Sequence, residues 1–577
     1  MFDLHAVPFS RYGSFMGLNF TFNHAENEPL LLRNVRGVGK SREVMDMYLT
    51  KDGNPVAWAD VQKIAKPWLL RFEAEGGFME FCFAEPNMIR LRSEGLGLQM
   101  ISHGENYPYG IAGPAGRFHI KSPQNRMNLM VGALSGSMDV SHSWDPRPHG
   151  RGRRFYCPKI EVRFEPNEDG KLEASIEEFR ASYSEADLSE TFDEAVAAVK
   201  KEWKDWLKKQ PKVEKQYGDS LALAAYVNWS AVVGQEDQFT RDTMLMSKNV
   251  MTQCWSWDHC FNAMATAYKM PELGWDQLMT LFDHQTPEGV LPDSVASPTC
   301  TLEYCKPPIH GWTLMRLMKH KPLADKKHLK EIYGPLVKWT NWWFNHRDYD
   351  NDGIPQYNHG NDSGWDNATV FDVGFAVEAP DLSAFLILQM DVLSDIAAKL
   401  GKDSASKKWK KRADQLLDRL IEHSWNGEQF VSLRNGDHAR AEEGDSMLNF
   451  IPIVLGKRLP KKYRKKLAEA LLPDGRFVTQ YGPATESPQS SLYEKNGYWR
   501  GPIWPPSTML VYDGLLRGGY KDQAKEIARR YCDMCVSSGY MSENYDPLTG
   551  EALCDRAYTW GSSVFIILAH ELATKLK

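Results

Sequence analysis

The period of the hydrophobic pattern changes once along this 577-residue chain, and that change limits the folds open to it. Through residues 1–185 apolar and polar side chains largely alternate. Examples are Phe78-Met79-Glu80-Phe81-Cys82-Phe83, Ile89-Arg90-Leu91-Arg92, Arg117-Phe118-His119-Ile120-Lys121 and Lys159-Ile160-Glu161-Val162-Arg163-Phe164, with Gly, Pro and Asn between the runs. Alternation turns one face of each strand to a core, so an antiparallel β-sandwich is expected here. Ser135 to Arg154, with its histidines and arginines, reads as a loop. A charged stretch, Leu188 to Lys209, carries Ala195, Val199, Trp203 and Trp206 and reads as a linker helix spanning 186–214. Beyond it the step becomes 3.6: Leu386, Met390, Leu393, Ala397 and Leu400 put one apolar stripe on a helix. Similar stretches lie near 220–233, 257–269, 274–284, 311–320, 326–346, 407–423, 443–455, 460–472, 504–516, 521–537 and 560–575. Residues 215–577 are therefore expected to be all-α, and an even number of helices suggests stacked hairpins that could close into a ring.

The length exceeds what one core usually serves, in keeping with two or more domains. A net charge of −6 supplies no basic surface for nucleic acid. No apolar run approaches the ~18 residues that would span a bilayer. Met1 to Pro8 shows no basic segment leading into an apolar one, and the nine cysteines form no dense framework, so a cytoplasmic location is expected. Cys532 and Cys535 form a CxxC inside a helical stretch and read as core.

Two distant segments place acids among aromatic and glycine residues: Asn361-Asp362-Ser363-Gly364-Trp365-Asp366-Asn367 and Ser542-Glu543-Asn544-Tyr545-Asp546-Pro547. Two carboxyl groups on opposite sides of a sugar ring suffice to break a glycosidic bond, one protonating the leaving oxygen and the other activating water. Trp365 and Tyr545 would offer flat apolar surface to a sugar. Paired acids alone are a weak signal among 75 acidic residues; the flanking residues sharpen it.

In chain order the motifs are Trp255-Ser256-Trp257-Asp258-His259-Cys260-Phe261, Glu288 to Asp293, Lys306-Pro307-Pro308-Ile309-His310-Gly311-Trp312, Gly360 to Asp366, Tyr498-Trp499-Arg500-Gly501-Pro502-Ile503-Trp504, Ser542 to Gly550 and Thr559-Trp560-Gly561. This series, over 215–577, resembles the catalytic (α/α)6 barrel of glycoside hydrolase family 63, the oligosaccharide α-glucosidases, and its trehalase relatives. The resemblance implies inverting hydrolysis, with Asp366 as general acid (in preference to Asp362) and Glu543 as general base. Burial beside Trp365 would raise the acid's pKa. It further implies that Asp258 binds hydroxyls of the terminal sugar, with Trp257 as a stacking platform. Gly364, Trp499 and Arg500 would complete the pocket; Lys306 and His310 are weaker candidates, and Trp504 reads equally as core.

Asp348-Tyr349-Asp350-Asn351-Asp352-Gly353-Ile354 has the DxDxDG spacing of a calcium loop, with His359 where a helix–loop–helix calcium hand has its glutamate. A structural Ca²⁺ on Asp348, Asp350 and Asp352 is one expectation and a plain acidic turn the other; no organic cofactor is required. The reading is an exo-acting inverting α-glycosidase, first an α-glucosidase acting on an oligosaccharide or small glucoside. The alternatives are a trehalase or a glucosyl- or mannosylglycerate hydrolase, in which Lys306 or Arg241 would meet a carboxylate. More distant rivals are an inverting phosphorylase and a non-catalytic glycan-binding protein.

Overall fold

The structure is a computed structural model that describes residues 2–21, 28–36, 42–102, 108–123, 125–142, 145–149, 152–157 and 159–576, without the side chains of 145–149 and 152–156. The chain divides into two compact units. The first holds Met1–Lys208 with Trp229–Gly234 and Ser247–Thr252; the second holds Lys209–Asn228, Gln235–Met246 and Gln253–Lys577.

The first unit is built on two antiparallel sheets. One runs, in spatial order, Met16–Asn19, Leu30–Asn34, Glu43–Lys51, Gly97–Ser102, Ile160–Glu165 and Ser137–His142, with the short Asn54–Pro55 paired to Glu43–Lys51. The other runs Tyr109–Ala112, Phe118–Ser122, Met127–Ser135, Lys171–Phe179, Met88–Glu94, Gly77–Glu85, Leu69–Ala74 and Gln62–Lys66. Alternation does what it implies: Val162 and Phe164 face inward with Met45, Met47 and Met100 of the same sheet, and they join Phe72, Phe81, Leu91, Leu129 and Ile176 of the other in one apolar cluster.

Two details depart from the sequence expectation. Ser135–Arg154 is not a loop: Ser137–His142 pairs with Ile160–Glu165 at a sheet edge, and Asp145–His149 pairs with Gly152–Tyr156, while 143–144 and 150–151 lie outside the described residues. An edge strand needs few apolar residues, and only Met138 and Val140 pack on the core, so its alternation is faint. Helix Phe192–Lys208 is not a free linker either. Its stripe of Phe192, Ala195, Val199, Trp203 and Trp206 is buried, Arg92 stacks on the Phe192 ring, and Ala195 packs with Ala84 and Met88 of the second sheet.

The second unit is helical: most of Gly218–Ala231, then Asp258–Thr266, Pro271–Phe282, His310–Leu317, Lys326–His346, Pro380–Lys399, Asp403–Ser424, Lys461–Ala470, Pro505–Gly518, Lys521–Ser538 and Thr559–Thr574. Met447–Arg458 is 3₁₀ rather than α, because Pro452 lacks an N–H and Gly456 breaks the helical backbone. Pro380–Lys399 is apolar almost all round and buries 16 of its 20 residues, the behaviour of an interior helix. The links between helices carry short two-residue strand pairs and the acid- and tryptophan-bearing motifs. Among the described residues no helix is long and apolar enough to cross a membrane. All nine cysteines are free thiols, and Cys532 and Cys535 are buried in the core.

Candidate active site

The motif segments are stitched to one another by hydrogen bonds to backbone groups. Asn367 joins the first acidic segment to the Tyr498 segment: its Nδ2 donates to the Gly497 carbonyl (3.0 Å) and its Oδ1 accepts the Trp499 N–H (2.9 Å). Ile503 and Tyr545 exchange N–H···O bonds of 2.8 and 2.9 Å, which joins the Tyr498 segment to the second acidic segment. Tyr558 N–H donates to the Met541 carbonyl (2.8 Å), and Trp560 Nε1–H donates to the Glu543 carbonyl (3.0 Å).

The turn that delivers Asp366 is locked from below. Asp362, the rival acid, is buried and fully engaged: it accepts N–H groups of Cys305 (3.0 Å), Asn358 (3.0 Å) and His359 (3.2 Å) and pairs with Arg347 (3.0 Å). That pattern makes it a clamp on the turn. Gly364 takes φ 72°, and a Cβ there would lie 2.6 Å from the Trp257 indole, so only glycine lets that ring seat under the turn. Asp366 itself is half-buried and Asn367 is exposed.

The tryptophans differ from expectation. Trp257, Trp365, Trp499, Trp504 and Trp560 are each 4% exposed or less. Trp499 stacks on Trp504 at 4.0 Å and 8°, Trp365 tilts onto Trp499 at 4.9 Å, and Trp560 meets Trp257 edge-on. Trp499 and Trp504 are stacked face to face, and the other rings meet them or each other tilted or edge-on. Trp257, Trp365 and Trp499 are thus a rigid foundation with little ring face to offer a sugar. Tyr545 is likewise buried, its hydroxyl donating to the Tyr540 carbonyl (3.0 Å) and accepting the Ser542 N–H (2.8 Å). Arg500 binds neither acid of the candidate pair; its guanidinium holds the Asn367 carbonyl (2.9 Å) and the Asp372 carboxylate.

The same motifs bring a concentration of acids around one cation. Asp258 opens helix Asp258–Thr266, is 3% exposed, and has one carboxyl oxygen with no hydrogen-bond partner. Burial raises its pKa well above the ordinary range, with Lys306 opposing and Asp293 and Asp366 adding to the rise. Lys306 Nζ contacts Asp293 Oδ1 (3.1 Å) and donates to the Asn361 carbonyl (2.7 Å). Burial works against its charge, but Asp293, Asp366 and Asp258 outweigh it and raise its pKa. Glu543 is buried, with the Asp555 N–H at 3.4 Å from Oε2. Burial first, then the charges of Asp555 and Asp366, push its carboxyl up to about 8, against the lowering effect of hydrogen bonds from the Asp555 N–H and the Tyr498 phenol. Among the acids of the cluster, burial thus raises Asp258 and Glu543.

Tyr498 and Asp293 stand inside quoted motifs yet escape sequence reasoning, because a lone Tyr or Asp carries no distinguishing pattern. Tyr498 holds φ 63°, a strained conformation for an aromatic residue, between the bonds that Asn367 makes to Gly497 and Trp499. Its pKa is raised by burial and by Glu543 and Asp366, which places the phenol within the field of both candidate acids. Two candidates fall outside the cluster. His310 is a buried core imidazole, pushed down to about 3 by burial, with Trp339 donating to Nδ1 (3.2 Å) and Nε2 facing the Ser256 carbonyl (3.1 Å). Arg241 is spent on Asp276, Asp283 and Glu331.

The calcium-loop carboxyls of Asp348, Asp350 and Asp352 come within 4.8 Å of one another. Asp350 Oδ2 already accepts the Gly436 N–H (3.1 Å) and Asp352 accepts the Ile354 N–H (2.7 Å).

Residues 251–561 match the family described as the mannosylglycerate hydrolase MGH1-like glycoside hydrolase domain, more than half of the chain. The chain belongs to this family of glycoside hydrolases. Among its relatives, the mannosylglycerate hydrolase of Rubrobacter radiotolerans is 22% identical, over 62% of this chain and 97% of that protein. The glucosylglycerate hydrolase of Mycolicibacterium hassiacum is also 22% identical, over 54% of this chain and 90% of that one. The family 63 mannosylglycerate hydrolase of Thermus thermophilus, solved with glucose, shares the fold with TM-score 0.53 at 20% identity, over 59% of this chain and 98% of that one. A bacterial glucoamylase solved with acarbose matches across both units, with TM-score 0.63 at 11% identity over 98% of this chain and 93% of that one.

Proposed function

We propose that this glycoside hydrolase inverts configuration at the anomeric carbon of a small α-hexoside of glycerate, rather than trimming glucose from oligosaccharides. The first domain would be a β-sandwich and the second an (α/α)6 barrel whose connecting loops carry the chemistry. The observation that carries the reading is the shared electrostatic neighbourhood of Asp366, Asp258, Asp293 and Glu543 with Lys306 as its cation. The names of the relatives favour glycerate as the aglycone. Asp366, half-buried, donates a proton to the departing oxygen. Glu543 takes a proton from water and is held by Tyr498 and the Asp555 N–H. Asp258 receives sugar hydroxyls on its unpartnered oxygen. For inversion the two carboxyls would stand ~6.5–9.5 Å apart. A cytoplasmic location is in keeping with nine unpaired cysteines.

The test is a panel of mannosylglycerate, glucosylglycerate, trehalose, maltose, kojibiose and nigerose, with the first-formed anomer read by NMR. Glycerate glycosides should lead and the β-anomer should appear first. Preference for maltose or kojibiose would restore the α-glucosidase reading, and an α-anomer would mean retention.

One observation favours exchanging the two roles: a carboxyl held at about 8 is protonated at neutral pH, as a general acid must be. Glycosyl fluorides decide between them, since fluoride leaves without protonation. Asp366→Asn should keep activity on the α-fluoride while Glu543→Gln loses it; the opposite pattern exchanges acid and base.

A further inference from the structure

A second cluster, outside the pocket motifs, draws on four segments. Asp352 comes from the acidic loop, Glu378 from the short strand Val377–Glu378, His423 from the last turn of helix Asp403–Ser424, and His438 from the turn after Leu433–Arg434. Each offers one ligand atom, and the four atoms lie within 4.8 Å of one another. Glu378 Oε2 is 2.8 Å from His423 Nε2 and 3.8 Å from His438 Nε2. Asp352 Oδ2 is 3.9 Å from His438 Nε2 and 3.5 Å from His423 Nδ1. A tetrahedral ion with bonds of about 2.0–2.1 Å has ligand–ligand edges of about 3.3–3.4 Å, and with His423 entering through Nε2 the separations of 2.8, 3.8 and 3.9 Å among Glu378 Oε2, His423 Nε2, His438 Nε2 and Asp352 Oδ2 bracket that value.

We propose that Asp352, Glu378, His423 and His438 form a site for one divalent transition-metal ion of the zinc or manganese class. The donor chemistry selects the ion. Calcium takes oxygen ligands, whereas two imidazoles with two carboxylates suit zinc, manganese or iron(II). An oxygen-only calcium loop is thus an incomplete description of this place: the acidic segment supplies one flank, and Glu378, His423 and His438 supply the rest. The surroundings are those of a supported site. Asn435 Nδ2 donates to Glu378 Oε1 (2.7 Å), turning Oε2 toward the imidazoles. Glu378 is fully buried, and among the described contacts its carboxylate meets imidazoles and an amide, with no lysine or arginine. A buried carboxylate in that position calls for a positive charge beside it. Asp350, bonded to the Gly436 N–H, lies 3.3 Å from the same His438 Nε2, a contact that the ion would displace.

The ion would act as a staple. The acidic loop leads through Tyr357, whose N–H and carbonyl pair with Val377, into the turn that presents Asp366. Metal binding would fasten this loop to the end of one helix and to the 434–438 turn, positioning the turn without entering the reaction. The proposal does not rest on the functional reading above.

The experiment uses tag-free full-length protein purified without chelator. Metal analysis should find about one zinc, manganese or iron per chain. Stripping with dipicolinate should lower the melting temperature by several degrees, and Zn²⁺ or Mn²⁺, not Ca²⁺, should restore it. Co²⁺ loading should give visible ligand-field bands that disappear in His423→Gln. His438→Gln, on a half-exposed turn, should stay folded by circular dichroism and weaken metal affinity about 10-fold or more. The proposal is overturned if no stoichiometric transition metal is found and Zn²⁺ and Mn²⁺ leave the melting temperature unmoved. Restoration by calcium alone, or unchanged metal affinity in folded His438→Gln, overturns it equally.

Discussion

Helix Thr559–Thr574 connects two buried acid clusters that obey opposite rules. At its start, Trp560 holds the backbone of Glu543. Near its end, Glu571 meets Arg316 (2.5 Å), Lys575 (2.6 Å) and the hydroxyls of Tyr268 (3.2 Å) and Tyr512, while Arg316 also grips Asp513 (2.7 Å), itself bonded by Trp312 Nε1–H (2.8 Å). Burial would raise both glutamates. At Glu571, Arg316 and Lys575 overcome it and hold the carboxyl down to about 2; at Glu543, Asp555 and Asp366 reinforce burial and carry it up to about 8. One cluster is neutralised and completes a core. The other is left with more acids than cations, as sites that move protons are.

The sharpest way to break the contrast is to remove charge from the unneutralised side. Asp366→Asn should reduce turnover of natural glycosides by ~10²–10⁴-fold with ligand binding kept. Glu543→Gln should lose hydrolysis to a similar degree and yet melt higher at pH 7–8. The sign follows from linkage: the fold keeps a proton on Glu543 that the unfolded chain releases, so stability falls as pH rises from 4.5 through about 8. Replacing that carboxyl removes the loss, worth ~1–3 kcal/mol near neutrality. In kcat/KM, the rising limb of the pH profile should lie well above the usual carboxylate range. A limb near pH 4, or a Glu543→Gln variant less stable than the parent, would dissolve the contrast.

On the balanced side the effect should be structural. Arg316→Met leaves Glu571 and Asp513 buried without their shared partner and should cost ~3–5 kcal/mol of stability while kcat of the folded fraction stays the same. Here the linkage runs the other way: Glu571 contributes stability above pH 4.5 that is lost as pH falls toward about 2. Differential scanning calorimetry across pH separates the two glutamates. A kinetic defect in Arg316→Met would mean that the far cluster reaches the pocket.

Asp258→Ala, the smallest of these effects, should weaken kcat/KM by about 10- to 100-fold, in line with ~1.5–3 kcal/mol for a charge-assisted hydrogen bond. Unchanged kinetics with only a lower melting temperature would make Asp258 a helix-terminus acid.

The sequence carries the change of period, the helical stretches and the two acidic segments, because local spacing encodes them. It carries poorly what depends on the third dimension. Trp257 and Trp365 read as sugar platforms, yet no pattern in the chain says that both will be buried against Trp499. Asp366 is preferred to Asp362 on the resemblance alone; what engages Asp362, the convergence of Cys305, Arg347 and His359, is not legible in the chain. Arg241 looks available until three carboxylates from two helices claim it. Glu378, His423 and His438 show no metal spacing, since each sits on a different element. The helix at 192–208 is legible from its apolar stripe, but nothing local to it says which sheet that stripe covers.

The packing of Trp499 flat on Trp504, with Trp365 and Trp560 close by, has an optical consequence. Indole rings this near exchange excitation, so Trp499 and Trp504 are optically coupled. The near-ultraviolet circular dichroism should change when Trp504 is replaced by Leu. Because Trp560 is bonded to the Glu543 backbone, protonating that carboxyl or seating a sugar beside it should change the emission of the whole stack, which makes the foundation of the site its own built-in reporter.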